Sequence, residues 1–227
     1  MKISYRLIRV AQTVTPGYRV ADIGTDHGYV PIYLIKNGLA EHVIAMDINA
    51  GPLERARENI TQNGLEEEIE VRLSDGFEKL EKNEAEIACI SGLGGELMKN
   101  ILFRGSDVVN KLNELVLSPH SEIPEVRAYV HRIGHRIINE EMVKDDGKYY
   151  TIIKTHSGKE EQYSALEYKY GKLLLERKEE VFKGFLEQKR QKDYLILENL
   201  KNGDNIASAL RYEQIKSEVA EIEKILL

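Results

Sequence analysis

A chain of 227 residues, 42% of them hydrophobic, is long enough to bury a real core as one domain plus an appendage or as two small domains. Its single cysteine, Cys89, sits in the apolar run Ile87 to Ile90, which excludes an internal disulfide and a cysteine metal site and suits a reducing compartment. The net charge of −6 disfavours wholesale wrapping by nucleic acid, and no segment approaches the roughly 20 apolar residues of a membrane helix; the expectation is a soluble, untargeted, cytoplasmic protein.

A helix is predicted at about 3–14, ahead of a region in which short apolar runs alternate with segments of helical period. That alternation, from Tyr18 to about His156, is the pattern of βαβ units around a parallel sheet. Strands are expected at about 18–23, 42–47, 69–74, 86–91 and 114–118, with helices at about 29–37, 50–63, 93–103 and 123–134. The strand ends then set Gly24, Asp47, Asp75, Ser91 and Ser118 along the carboxyl edge, where ligands of open α/β sheets bind. Next, His135 to Lys144 and Lys148 to Thr155 flank Asp146-Gly147, a hairpin-type turn, so these two strands are expected to pair antiparallel. A nicotinamide-binding sheet is ordinarily all parallel. The predicted fold class is therefore α/β, a Rossmann-like class I methyltransferase sheet of seven strands with an antiparallel final hairpin, followed by a C-terminal helical, coiled-coil-like domain.

Beyond Ser157-Gly158 the composition shifts to Lys, Glu, Leu and Gln without proline, which puts the expected boundary between residues 1–157 and 158–227. Leu173, Leu174, Arg177, Val181, Phe182 and Phe185 recur at helical spacing, as do Ile206, Leu210, Ile215, Val219, Ile222 and Leu226, with Asn202-Gly203-Asp204 between them. Two helices folded back on each other are the simplest arrangement, and a single oligomerisation arm is the alternative. Residues 1–155 hold 19 basic and 24 acidic side chains, while 156–227 hold 13 and 14, so any RNA surface must be a local patch.

The first strand runs into Asp22-Ile23-Gly24-Thr25-Asp26-His27-Gly28. Gly24 lets backbone approach a ligand and Gly28 lets helix and strand pack, but the dinucleotide fingerprint G-x-G-x-x-G is absent. Asp26 would repel a pyrophosphate at this helix start, whereas it suits S-adenosylmethionine, which carries a sulfonium and an ammonium and no phosphate. Asp47, with Ile48 beside it, stands where a carboxylate accepts from both ribose hydroxyls, 25 residues after Asp22. Asp75-Gly76 stands where an acceptor can meet an adenine amino group. Each aspartate could instead cap the helix that follows. Ser91-Gly92-Leu93-Gly94-Gly95 lacks the rigid acceptors used to methylate exocyclic amines and suits a ring nitrogen with its own in-plane lone pair, or is simply a glycine-rich turn. Arg6 is a candidate clamp for the methionine carboxylate, or a solvated helix arginine. No His, Asp or Glu set has metal-ligand spacing.

Taken together, Arg6-Leu7, the run Ala21 to Pro31, Gly51-Pro52, the Gly92 to Gly95 turn and Asp146-Gly147-Lys148 before a tyrosine pair resemble the bacterial tRNA (adenine-22-N1)-methyltransferases, over nearly the whole chain. Thr25 stands where serine is familiar, Gly28 where alanine is, and Asp47 where glutamate also occurs. The resemblance implies methyl transfer from S-adenosylmethionine to N1 of an adenine in the D-arm region of tRNA, by a monomer or weak dimer. N1 lies on the Watson–Crick edge, so the base must be unpaired or flipped out. Asp26 is then the candidate to offset the cationic product ring, with His27 and Tyr29 shaping the pocket or stacking on the base; alternatively, Asp26 and His27 only fix the turn. The expected cofactor set is Arg6, Asp22, Gly24, Thr25, Asp26, Gly28, Asp47, Ile48, Asp75, Gly76, Ser91, Gly92 and Gly94. Two basic clusters are candidates for tRNA: Arg127, His131, Arg132, His135 and Arg136, and Lys183, Lys189, Arg190 and Lys192. The rival readings are a methyltransferase acting on a small molecule or protein, and a non-catalytic RNA-binding module with a vestigial cofactor pocket.

Overall fold

The computed structural model describes residues 3–201 and 206–227, so the expected separator Asn202-Gly203-Asp204 lies outside the described residues. Among the described residues the chain forms ten helices and one seven-stranded sheet. α1 (Tyr5–Thr13) is started by Ser4, whose side chain accepts from the Leu7 amide. β1 (Val20–Ile23), α2 (Tyr29–Lys36), β2 (Val43–Asp47), α3 (Ala50–Asn63) and β3 (Ile69–Leu73) build one half of the sheet. β4 (Ile87–Ser91), α4 (Gly95–Arg104), the short α5 (Ser106–Val109), β5 (Glu114–Ser118) and α6 (Ile123–Arg132) build the other. β6 (His135–Asp145) and β7 (Lys148–Ser157) close it.

The strand order is β3-β2-β1-β4-β5-β7-β6, parallel from β3 to β5 and antiparallel from there on. The chain winds outward from β1 and then returns to lay β4 on its other side, so the carboxyl ends of β1 and β4 flank a topological switch point, the place where open α/β sheets bind ligands. The predicted hairpin forms: Asp146 and Gly147 both have positive φ, 46° and 73°, as a two-residue turn of matching twist requires.

Burial on both faces explains why the central strands read as unbroken apolar runs. Along β4, Ala88 and Ile90 face a core shared with α4, α5 and α6, while Ile87 and Cys89 face one shared with α1, α2 and α3. α4 begins at Gly95, two residues later than expected, because its first turn packs against the loop before α6; a Cβ on Gly95 would overlap the carbonyl oxygen of Ser121.

The boundary expected at residue 157 moves. One compact unit ends at Leu173 and the second begins at Leu174. Residues 158–173 belong to the first unit because Tyr163 is buried in its core and α7 (Ala165–Tyr170), started by a Ser164–Glu167 capping box, packs on α6. α8 (Lys172–Arg177) and α9 (Glu180–Leu200) are separate helices where one was expected, with Lys178 between them at φ 45°. α9 and α10 (Ile206–Leu226) pack together through Leu197, Ile215 and Val219.

The first basic cluster is largely interior. Arg127 is buried with Glu140, Nε to Oε1 2.6 Å, and its Nη1 donates to the Tyr168 carbonyl at 2.8 Å. His131 has Nε2 2.8 Å from Glu160 and Nδ1 3.0 Å from the Tyr168 hydroxyl. His135 is buried beside Thr155, and desolvation pushes its imidazole down to about 4, so it carries no charge at neutral pH. Only Arg132 and Arg136 of that cluster are exposed.

Replacing Arg127 with Met strands the Glu140 carboxylate without its main partner, which is expected to cost about 3–5 kcal/mol in urea unfolding. Arg132→Met, on the same helix but exposed, is expected to stay within about 1 kcal/mol.

Candidate functional site

At the switch point lies a cleft of about 420 Å³. Its residues come from consecutive strand ends in spatial order: Asp47, with Pro52 of α3, from β2; Asp22, Gly24 and Asp26 from β1 and its turn; Ser91, Gly92 and Leu93 from β4; and His120 from the loop after β5. α1 covers it with Arg6 and Leu7, and α2 contributes Tyr29 and Val30.

The turn after β1 is wound tightly. Gly24 has φ 78°, and it and Thr25 both donate to the Met46 carbonyl at 2.8 Å, tying the turn to β2. A Cβ at Gly24 would touch Leu93 of the β4 turn only at ordinary contact distance, so it is the positive φ that calls for glycine there. His27 is left-handed at φ 59°, a state uncommon outside glycine but one that histidine adopts more readily than most, and the Asn59 side chain of α3 donates to its carbonyl at 2.9 Å. Gly28 (φ 66°) abuts Ala56 of α3, where close packing with the strand was expected.

Asp22 is 4% exposed and faces the cleft, and burial pushes its carboxyl up to about 6, with the charge of Asp47 adding to the shift. Asp47 accepts from the Asn49 amide through Oδ1 at 2.7 Å, the local turn role that capping chemistry offers. Its Oδ2 has no hydrogen-bond partner among the described residues. Asp26 is exposed at the mouth, with Oδ1 3.5 Å from both Arg55 Nη2 and His27 Nε2.

Arg6 is the cleft's cation. Its guanidinium lies 5.1 Å from the centroid of the Tyr150 ring, and its buried Nη1 has no hydrogen-bond partner among the described residues. Desolvation lowers its pKa, opposed by Tyr150 and Asp145. The cleft therefore offers carboxylates to positive groups and one unsatisfied guanidinium nitrogen to a single negative group.

Of the residues expected from sequence, Arg6, Asp22, Gly24, Asp26, Tyr29, Asp47, Ser91 and Gly92 line the cleft. Thr25, His27, Gly28, Ile48 and Gly94 are beside it without lining it; the His27 ring stacks on Tyr29, centroids 5.1 Å apart, and Ile48 is 59% exposed. Asp75 and Gly76 are the clearest departures. Asp75 lines a neighbouring depression and is bound by Arg104 through two hydrogen bonds, 2.6 and 2.8 Å, which hold its carboxyl below the usual range; Gly76 lies under Ile101. The sequence reading missed His120 altogether, since neither spacing nor a glycine turn marks it.

A methyltransferase domain family model matches residues 3–153. The tRNA (adenine(22)-N(1))-methyltransferase of Bacillus subtilis is 32% identical, over 98% of this chain and 93% of that protein. The crystal structure of the B. subtilis m1A22 tRNA methyltransferase matches with a TM-score of 0.86 at 28% identity, covering 100% of this chain and 99% of that one. A Streptococcus pneumoniae protein crystallised in complex with S-adenosyl-L-methionine matches with a TM-score of 0.89, also at 28% identity and covering 100% of both chains. Among the described residues no group of His, Cys, Asp and Glu could hold a metal ion, and no helix is long and apolar enough to cross a membrane. The likeness of sequence extends over nearly all of both proteins and the likeness of fold over the whole chain, and on that ground this chain belongs to the tRNA (adenine(22)-N(1))-methyltransferase family.

Proposed function

We propose that this chain methylates N1 of an adenine in tRNA, at position 22 in the D-arm region as its family implies, with S-adenosylmethionine as the methyl donor. The observation that supports it most directly is the charge arrangement of the cleft: Asp22, Asp26 and Asp47 around a single orphaned guanidinium nitrogen of Arg6. That set matches a ligand with an ammonium, a sulfonium and one carboxylate, and it opposes a pyrophosphate. Arg6 would hold the carboxylate, Asp22 the ammonium, and the free oxygen of Asp47 a ribose hydroxyl. S-adenosylmethionine supplies an activated methyl group, so the protein's own task is to align and desolvate the acceptor nitrogen. Gly92 and Leu93 would border the place of the flat ring, Tyr29 and its stacked partner His27 would shape the wall, and Asp26 at the mouth would offset the positive charge that develops on the methylated base.

Residues 174–227 supply a second, tRNA-facing surface in this reading. Lys189 is engaged by Asp193 at 2.9 Å and Glu218 at 2.8 Å, which leaves Arg190 and Lys192 as the cations for phosphates, together with Lys183 once it exchanges the exposed Glu180, 2.9 Å away, for a phosphate.

Incubating the purified protein with labelled cofactor and unmodified tRNA is expected to place one methyl on adenine N1; methyl appearing only on a small molecule or protein would overturn the reading. Arg6→Ala is expected to weaken cofactor binding about 10- to 100-fold in calorimetry, the size of a lost hydrogen bond between charged groups. Changing Lys183, Arg190 and Lys192 together to Glu is expected to raise the tRNA KM about tenfold or more and flatten its salt dependence, with cofactor Kd unchanged.

Asp22 gives the pH dependence. In the cofactor-free protein its carboxyl is protonated below about pH 6 and ionised above, and an ammonium ligand favours the ionised form. Cofactor affinity is therefore expected to fall about tenfold per pH unit below 6, and Asp22→Asn to bind weakly with little of that dependence. Stability runs the other way. The folded-state pKa lies above the unfolded one, so the contribution of this one group to stability is fully present below the unfolded pKa and is lost as pH rises through about 6; Asp22→Asn is expected to raise cofactor-free stability at pH 8 by about 3 kcal/mol in urea unfolding.

A further inference from the structure

His120 lies in the cleft with no structural duty assigned to its ring. Its backbone amide donates to the Leu93 carbonyl at 2.9 Å, just as the Gly92 amide donates to the Ser118 carbonyl at 3.2 Å, so the turns after β4 and β5 are fastened together. That fixes His120 beside the glycine-lined opening. The imidazole is tilted at 52° against Tyr150, centroids 5.6 Å apart, and makes no hydrogen bond among the described residues.

Position along the cleft indicates which ligand it meets. Asp47 and Pro52 mark the β2 end and His120 the β5 end, with Asp22, Gly24 and Gly92 between them. If the ribose lies at Asp47, as proposed above, the acceptor base enters from the side of β4 and β5. An adenine offered through its Watson–Crick edge brings the N1 lone pair and, directly beside it, the two hydrogens of the exocyclic amine. Partial desolvation, then the positive charges of Arg6 and Lys148, lower the His120 pKa, which keeps a ring nitrogen free to accept a hydrogen bond at neutral pH.

We infer that His120 accepts a hydrogen bond from the exocyclic amino group of the target adenine and so selects adenine over purines with a keto oxygen at that position. The inference rests on the reading given under Proposed function. Methylation at N1 makes the ring cationic and its amino hydrogens better donors, so this bond strengthens as the reaction proceeds. A purine with a carbonyl in place of the amine would set its oxygen against the imidazole nitrogen.

The test is a cycle on the full-length protein with two tRNA transcripts, one carrying adenine and one carrying unsubstituted purine at the methylated position. The ratio of kcat/KM values between the two transcripts is measured for wild type, His120→Ala, His120→Phe and His120→Asn. Differences in intrinsic N1 reactivity cancel in the comparison between enzymes. The preference for adenine is expected to fall at least fivefold in His120→Ala and in His120→Phe, which keeps an aromatic ring against Tyr150, and to be largely retained in His120→Asn, which keeps an acceptor oxygen. An unchanged ratio in Ala and Phe, with activity lowered equally on both transcripts, would assign His120 to packing and overturn the inference. Absence of N1 methylation by wild type on the adenine transcript would instead overturn the proposed function and this inference with it.

Discussion

Much of the site follows from one buried charge. Asp22 lies one residue before the end of β1 at 4% exposure, where its carboxyl is lifted to about 6 by the cost of desolvation and by Asp47 nearby. A protein selected for stability alone would put an amide or an apolar group there. The cost is tolerable because the strands around it are buried on both faces, β1 between β2 and β4, so the carboxylate is held in place by neighbours that pack without it. A buried carboxylate fixed in a rigid frame is preorganised to receive a cation.

The frame explains why the remaining groups converge. Winding outward from β1 and returning to β4 brings the turns after β2, β1, β4 and β5 into one row, although Asp47 and His120 are far apart in the chain. The antiparallel insertion of β7 beside β5 then carries Tyr150 to the same end, where the Arg6 guanidinium lies 5.1 Å and the His120 ring 5.6 Å from its ring centroid. Residues from α1, β7 and the β5 loop thus meet at one end of the cleft, and two of them are fixed through their backbone amides: Arg6 to Asp145 Oδ2 at 3.1 Å and His120 to the Leu93 carbonyl at 2.9 Å.

What could be read from the sequence was what is encoded locally. Unbroken apolar runs gave the parallel strands, Asp146-Gly147 gave the hairpin, and Gly24 and Gly92, at strand-to-helix turns, gave two walls of the cleft. Properties decided by distant partners could not be read. Arg127 and His131 stand one helical turn apart and look like a cationic stripe, yet Glu140 and Glu160 turn that stripe inward. Asp75 occupies the expected strand end but Arg104, 29 residues on, claims both of its oxygens. The apparent boundary at Ser157-Gly158 failed for the same reason: the composition changes there, but Tyr163 and the Tyr168 carbonyl are still needed by the core and by Arg127. His120 has no local signature, because what makes it notable is the pairing of two strands.

The charge of the cleft also constrains how a nucleic acid could use it. Asp22, Asp26 and Asp47 suit a cationic ligand and repel phosphate, so a polynucleotide backbone is excluded from the space a flat base can enter. In the proposed reaction the target nucleotide must therefore be turned out of its helix, with its phosphates left at the rim. The cations that would hold those phosphates have to lie elsewhere, and on the first unit Arg132 and Arg136 are exposed candidates. Net acidity and RNA substrate are compatible on this view: the carboxylates of the cleft serve the donor and the base, and attraction for the backbone is delegated to local patches outside it.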